Sequence, residues 1–159
     1  HPGKGLRHAL RIVREVLACE PEGSGTDIEA ALQYVNGILK RKAVVFLLSD
    51  FHDAGYEKAL KITNRRHDLI PVVLRDRRER ELPEGAFVEL EDAETGERFL
   101  ADLSDAGFRE KYREKMELER ASLKQLFKSS KMDGVEIETG ASYVEPLIRF
   151  FRMRARRIR

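Results

Sequence analysis

Tryptophan is absent from this chain, and cysteine nearly so, with Cys19 standing alone. One thiol closes no internal disulfide, so the core must hold by packing, and a reducing, cytoplasmic setting is favoured. Long apolar runs are missing as well. The run from Ala43 to Leu48 falls far short of the roughly 20 residues that cross a bilayer, and no signal-like segment opens the sequence, so no membrane partner is expected. Charge of one sign is also lacking. The 30 basic and 28 acidic residues nearly cancel, which leaves no bulk footprint for nucleic acid. What remains is charge in bulk, 36% of 159 residues, on a chain long enough for one domain with a real core and a helix-rich surface.

The sequence is organised around Ala43-Val44-Val45-Phe46-Leu47-Leu48-Ser49-Asp50. Six apolar residues in a row, β-branched and aromatic among them, predict a strand buried on both faces of a parallel sheet. Before it, Leu6, Ala9, Leu10, Val13, Val16 and Leu17 keep helical spacing up to Pro21. A second helix is capped by Thr26 or Asp27 and carries the stripe Ile28, Ala31, Leu32, Val35, Ile38 and Leu39. After Asp50 a short loop leads into a helix that ends near Arg66. Leu69 to Leu74 is then a strand whose Pro71 argues against a regular central position. Phe87 to Asp92 and Glu97 to Leu100 alternate around Ala93-Glu94-Thr95-Gly96 and predict a β-hairpin. Asp105 starts a long charged helix, Val135 to Glu138 reads as an edge strand, and a last helix gives way to an arginine-rich tail from Arg152. Strands separated by helices imply right-handed βαβ units, hence an α/β fold with a partial doubly wound, Rossmann-like parallel sheet, flanking helices and a small hairpin insertion.

Ligands of such sheets gather outside the carboxyl ends of the strands. Ser49 and Asp50 close one strand there, and Gly23-Ser24-Gly25-Thr26-Asp27 opens the preceding helix at the same rim, where free N–H groups and the positive dipole end favour anions. The lysine and spacing of a phosphate loop are missing. A threonine hydroxyl and a carboxylate that converge at one rim are instead hard oxygen ligands of the kind that hold magnesium. Taken singly, each is equally an ordinary cap or turn residue.

Gly25-Thr26-Asp27 with the helix after it, followed by Val44 to Phe51, resembles the second half of a von Willebrand factor A domain. More closely, the chain is similar to the carboxyl-terminal half of the bacterial Domain of Unknown Function 58 family, in its short form without membrane helices. Leu6 to Arg11, Glu20 to Gly23, Arg65 to Asp68, Leu90 to Gly96 and Tyr143 to Phe151 carry that likeness in order. The resemblance implies a metal-ion-dependent adhesion site, in which a threonine and an aspartate join a D-x-S-x-S loop around a divalent ion that a partner's carboxylate completes. Thr26 and Asp50 match two of the three legs, and Ser24, Asp27, His52 and Asp53 are possible accessory ligands. Asp102-Leu103-Ser104-Asp105-Ala106 lacks the second serine of the first leg. Residues 1–159 are therefore expected to be the later portion of one such domain, with its first strands before His1 and with magnesium bound weakly or not at all. The family further implies a non-enzymatic interaction domain that works with a MoxR-type AAA+ ATPase in protein assembly or maturation.

Two other functions stay open. Arg152, Arg154, Arg156 and Arg157 belong to a run of six arginines from Arg149 to Arg159, which could contact nucleic acid or another acidic surface. A magnesium-dependent hydrolase at Asp50 is the second, although few carboxylates lie near it. With no strand to flank it on one side, the strand at 43–48 is an exposed apolar edge. A homodimer is therefore expected, edge to edge through that strand or by exchange of the first helix.

Overall fold

The computed structural model describes residues 4–20, 25–76, 85, 87–91 and 98–157. Its elements are α1 (Leu6–Leu17), α2 (Ile28–Ile38), β1 (Val44–Ser49), α3 (Glu57–Arg66), β2 (Asp68–Arg75), β3 (Phe87–Glu91), β4 (Arg98–Asp102), α4 (Ala106–Ser129), β5 (Val135–Glu138) and α5 (Val144–Arg157). Strands β1, β2 and β5 form a parallel sheet in that order, with Val45 opposite Leu69 and Val72 opposite Val135. Helices flank this sheet, giving the Rossmann-like α/β arrangement that the alternation of elements implies, which is consistent with the resemblance to a von Willebrand factor A domain. Strands β3 and β4 pair antiparallel as the expected hairpin, whose turn lies outside the described residues.

Contrary to expectation, β2 is the central strand and carries Pro71 fully buried within it. Register explains the tolerance. The Asp68 N–H donates to Ala43 O on the β1 side, so alternate residues turn toward β5, and the nitrogen of Pro71 falls on that side. The β5 ladder begins only at Val72 opposite Val135. No ladder bond is lost.

The two faces of the sheet are covered unequally. On one, α2, α3 and the second half of α4 pack Leu32, Leu60 and Phe127 against Leu69 and Val73, with Val45 and Leu47 beside them. Each such side chain contributes about 1.5–3 kcal/mol on burial. On the other, α5 sets Phe150 against Ile70, Val72 and Val135. Strand β1 is accordingly not buried on both faces: Val44, Phe46 and Leu48 stay 46–60% exposed because α5 packs mainly over β2 and β5 and reaches β1 only through Phe151 at the edge of Phe46.

The stripe of α2 is also rotated from its expected position. Ala31 and Ile38 are exposed, whereas the polar Asn36 is buried and donates to Thr63 Oγ1 at 2.7 Å. The Thr63 hydroxyl in turn donates a hydrogen bond to Ala59 O at 2.8 Å, so this polar pair ties α2 to α3 inside the core.

Helix α5 likewise runs on to Arg157 instead of ending at the tail. Arg154 pairs with Asp68 at 2.6 Å and caps the Phe150 ring, while Arg157 pairs with Asp133 at 2.6 Å. The amino rim of the sheet thus holds the last turns of the helix.

Thr63→Val should lower stability by about 1–3 kcal/mol, because it strands the buried Asn36 amide. His67→Leu should leave stability unchanged or raise it, because both ring nitrogens of His67 are buried without a hydrogen-bond partner among the described residues. Urea unfolding of the two variants checks the order, and the reverse ranking contradicts this account of the core.

Candidate functional site

The carboxyl rim is shaped by the loop from Asp50 to Gly55. Phe51 drives its ring into the core against Phe127 and Tyr56, at centroid distances of 5.4 and 5.9 Å. To do so its backbone takes φ 64°, a left-handed value costing a bulky residue on the order of 1–3 kcal/mol, which burial of the ring offsets. Ser49 Oγ accepts from the Phe51 N–H at 3.0 Å and stabilises the reversal. With Phe51 turned inward, Asp50 and His52 face out.

Asp53 completes the loop. Its Oδ2 accepts from the Ile28 N–H at 2.8 Å and its Oδ1 from the Ala54 N–H at 2.7 Å. The first bond joins the start of α2 to the end of β1, so Thr26 and Asp50 do lie at one rim. Asp27 is the N-cap of α2 and accepts from the Ala30 N–H at 2.7 Å, whereas Thr26 is exposed just before it. Asp50 Oδ1 accepts from the His52 N–H at 3.1 Å, and its Oδ2 has no hydrogen bond among the described residues. His52 Nδ1 stands 3.8 Å from Glu119 Oε2. Ser24 lies outside the described residues.

A cleft of about 690 Å³ opens between this loop and α4. Asp50, His52, Asp53 and Glu57 line one side, and Leu118, Glu119, Leu123 and Leu126 of α4 line the other. Arg75, at the end of β2, reaches Asp50 O with its guanidinium at 3.3 Å. Beneath the cleft, burial raises the Tyr56 phenol above its ordinary value near 10, and the charges of Glu57 and Asp53 add to the rise.

Arg75 and the α4 wall are the parts that sequence reasoning missed. Arg75 ends a strand beside β1 and was accessible to the same carboxyl-end rule that singled out Asp50. The wall had a fainter signal, since Leu118 is 69% exposed and interrupts an otherwise charged helix face.

These donors do not by themselves suit a resident magnesium ion, which takes about six oxygens. Asp27 and Asp53 are committed to backbone N–H groups. No group of three or more His, Cys, Asp or Glu placed to hold a metal occurs among the described residues. The Asp102 to Ala106 segment is spent locally, with Asp102 accepting from the Ser104 N–H at 2.9 Å and Asp105 capping α4.

A family model described as "Protein of unknown function DUF58" matches residues 1–122. The chain belongs to the DUF58 family. A relative of this DUF58 chain, an uncharacterized protein of Mycobacterium avium called MAV169, is 24% identical over 159 residues, covering 98% of the chain and 94% of the relative. No solved structure matches the chain. Among the described residues of this DUF58 protein no helix is long and apolar enough to cross a membrane.

Removing the Asp53 carboxylate should weaken folding by about 1–2 kcal/mol, the worth of a helix cap. Asp50→Ala should stay within about 0.5 kcal/mol, as expected of an exposed position. Equal losses in thermal or urea unfolding would show that the loop is not held as described. Tyr56 adds a pH test. Below about pH 10 its phenol is neutral in both folded and unfolded chains, so its contribution is complete; above that the unfolded phenol ionises first, and stability falls as pH climbs through the raised folded value. Tyr56→Phe should flatten that alkaline decline.

Proposed function

We propose that this chain is a non-enzymatic protein-interaction domain whose carboxyl rim docks a protein partner. The observation that carries the reading is the cleft beside Asp50, walled by exposed leucine on α4 and lined by Asp50, whose Oδ2 has no hydrogen bond among the described residues. Large clefts with a few convergent polar groups are the usual binding sites of α/β sheets. A MoxR-type AAA+ ATPase is the proposed partner, with a role in assembly or maturation of other proteins in the cytoplasm. His52 faces Glu119 and not a hydroxyl or thiol, which favours binding over hydrolysis. Magnesium is assigned no part in docking by this chain alone, and calorimetric titration is expected to give only weak binding that Asp50→Ala leaves unchanged.

The arginine-rich end supports the nucleic-acid alternative less well, since Arg154 and Arg157 already pair with Asp68 and Asp133, leaving Arg152 and Arg156 as exposed cations among the four.

The test is titration of the purified chain against a MoxR-type ATPase by biolayer interferometry. Leu118→Asp and Asp50→Ala should each weaken binding by about tenfold or more, the scale of a lost interface anchor. Absence of binding, or binding that neither substitution alters, overturns the assignment.

A further inference from the structure

We infer that a second hollow, between the end of α4 and β5, docks an extended acidic peptide segment of a partner protein, its carboxylates on Lys124, Lys128 and Lys131 and an apolar side chain between them. This surface is distinct from the rim cleft and lies on the side of the sheet away from β1, since β2 separates β5 from β1. The hollow measures about 440 Å³. Its floor is Val73, Phe127, Met132 and Val135, each 6–8% exposed, and the three lysines stand around it. Their aliphatic stems carry the apolar lining up the wall.

The charges around the hollow point to an anion. Two carboxylates share the lining, and both are already matched: Asp133 pairs with Arg157 at 2.6 Å, and Glu136 with Arg120 at 2.8 Å. Lys124, Lys128 and Lys131 have no ion pair or hydrogen bond among the described residues, so three positive charges stand uncompensated. The sequence of α4 shows the same segregation. Up to Glu119 acids and bases are interspersed, and Lys115 stands 3.9 Å from Glu119; from Arg120 to Met132 every charged residue is basic. A helix C-terminus favours cations, but only within its last turn, and Lys124 lies before that turn. Lys131 follows the helix at the left-handed position, φ 53°, that such a closing turn usually gives to glycine. The Met132 N–H donates to Phe127 O at 2.9 Å across this turn, so the backbone that lays Met132 on the floor also sets Lys131 at its margin.

Size and spacing select an extended peptide. Lys124 and Lys128 are about one helical turn apart, roughly 6 Å along the axis. Alternate side chains of an extended segment project to one side about 6.6–6.8 Å apart, so an acid at every second position meets successive lysines while the residue between them turns to the floor. A helix about 10 Å across would fill the hollow with a single turn. An inorganic anion would satisfy the lysines and leave the apolar floor unused. Phe127, the aromatic ring in the lining, is buried and offers no face for a nucleobase to stack on. Charge of one sign above an apolar floor is the complement of a segment that alternates acid with apolar residue.

Fluorescence anisotropy of the full chain with a labelled octapeptide that alternates glutamate and leucine tests this. Saturable, salt-sensitive binding is expected, weakened about tenfold or more by Lys124→Gln with Lys128→Gln. Both lysines are exposed, so circular dichroism should show that the fold survives. Peptides with glutamine for glutamate, or with glycine for leucine, should each bind about tenfold or more weakly. Leu118→Asp should leave binding unchanged, which separates this surface from the rim cleft that Leu118 lines. Absence of saturable binding at submillimolar peptide overturns the inference, as does binding that the lysine substitutions do not alter. A glycine peptide that binds as well as the leucine one also overturns it, and assigns the hollow to simple anions. Tighter, lysine-dependent binding of an unrelated DNA duplex overturns it in favour of nucleic acid.

Discussion

Asp53 holds the rim together. Its two carboxylate oxygens take N–H groups from different parts of the chain, Ile28 at the head of α2 and Ala54 in its own loop, and among the described residues no other hydrogen bond joins the start of α2 to the end of β1. The bond is short, charge-assisted and directed at a helix N-terminus, where the dipole adds to it. Thr26 and Asp50 lie 24 positions apart in sequence and on different elements; topology brings them to one rim, and this side chain ties the two segments together there. Phe51 supplies the complementary constraint. Its ring is fixed among Phe127 and Tyr56, so the loop cannot slide, and its left-handed backbone directs the residues on either side outward. The acidic residues of the rim therefore divide by task. Asp27 and Asp53 build architecture, and Asp50 keeps one oxygen free.

Unequal covering of the sheet follows from the number of helices on each side. Three helices serve the face bearing Leu69 and Val73, and one serves the face bearing Ile70 and Val72. On the sparser side charge assists the packing: Arg154 lies over the Phe150 ring and pairs with Asp68 at the start of the central strand, and Arg157 reaches Asp133 just before β5. Exposed ion pairs contribute little, but Arg154 is only 24% exposed in its side chain and meets Asp68, Asp133 and the Phe150 ring, so it ties the last turns of α5 to the amino rim of the sheet.

Much of this was legible from local pattern. The run Ala43 to Leu48, the alternation at 135–138, the cap at Asp105 and the hairpin signal all became the expected elements, because each is encoded by neighbours in sequence. What escaped depended on which element comes to lie next to which. A continuous apolar strand is compatible with one covered face or two, and only the reach of α5 decides. Asn36 falls outside the apolar stripe of its helix, and only the approach of Thr63, 27 positions away, gives its amide an acceptor in the core. Pro71 looked excluded from a central strand because the register that spares its nitrogen depends on where β5 begins. At the rim, Thr26 and Asp50 could be paired from topology, whereas the commitment of Asp53 to Ile28 is a three-dimensional fact with no trace in spacing. The arginine-rich end shows the same limit from the other direction, since composition suggested a free basic tail and the helix spends two of its cations internally.

On the proposed interaction reading, the rim sets a condition on its partner. Asp50, Asp53, Glu57 and Glu119 line the cleft against Arg75 and a histidine, so the polar side of the site is acidic unless a cation is supplied from outside. An incoming carboxylate would meet like charge in a partly desolvated cleft, where opposition is stronger than in bulk water. The attractive surface lies instead on α4, where Leu118, Leu123 and Leu126 present an apolar wall facing the loop. A partner that sets an apolar anchor against this wall and keeps its cations toward Asp50 and Glu119 satisfies both sides of the cleft. One that leads with an acid must bring its own counter-charge, and this is the physical sense in which two oxygen donors at a rim fall short of an adhesion site.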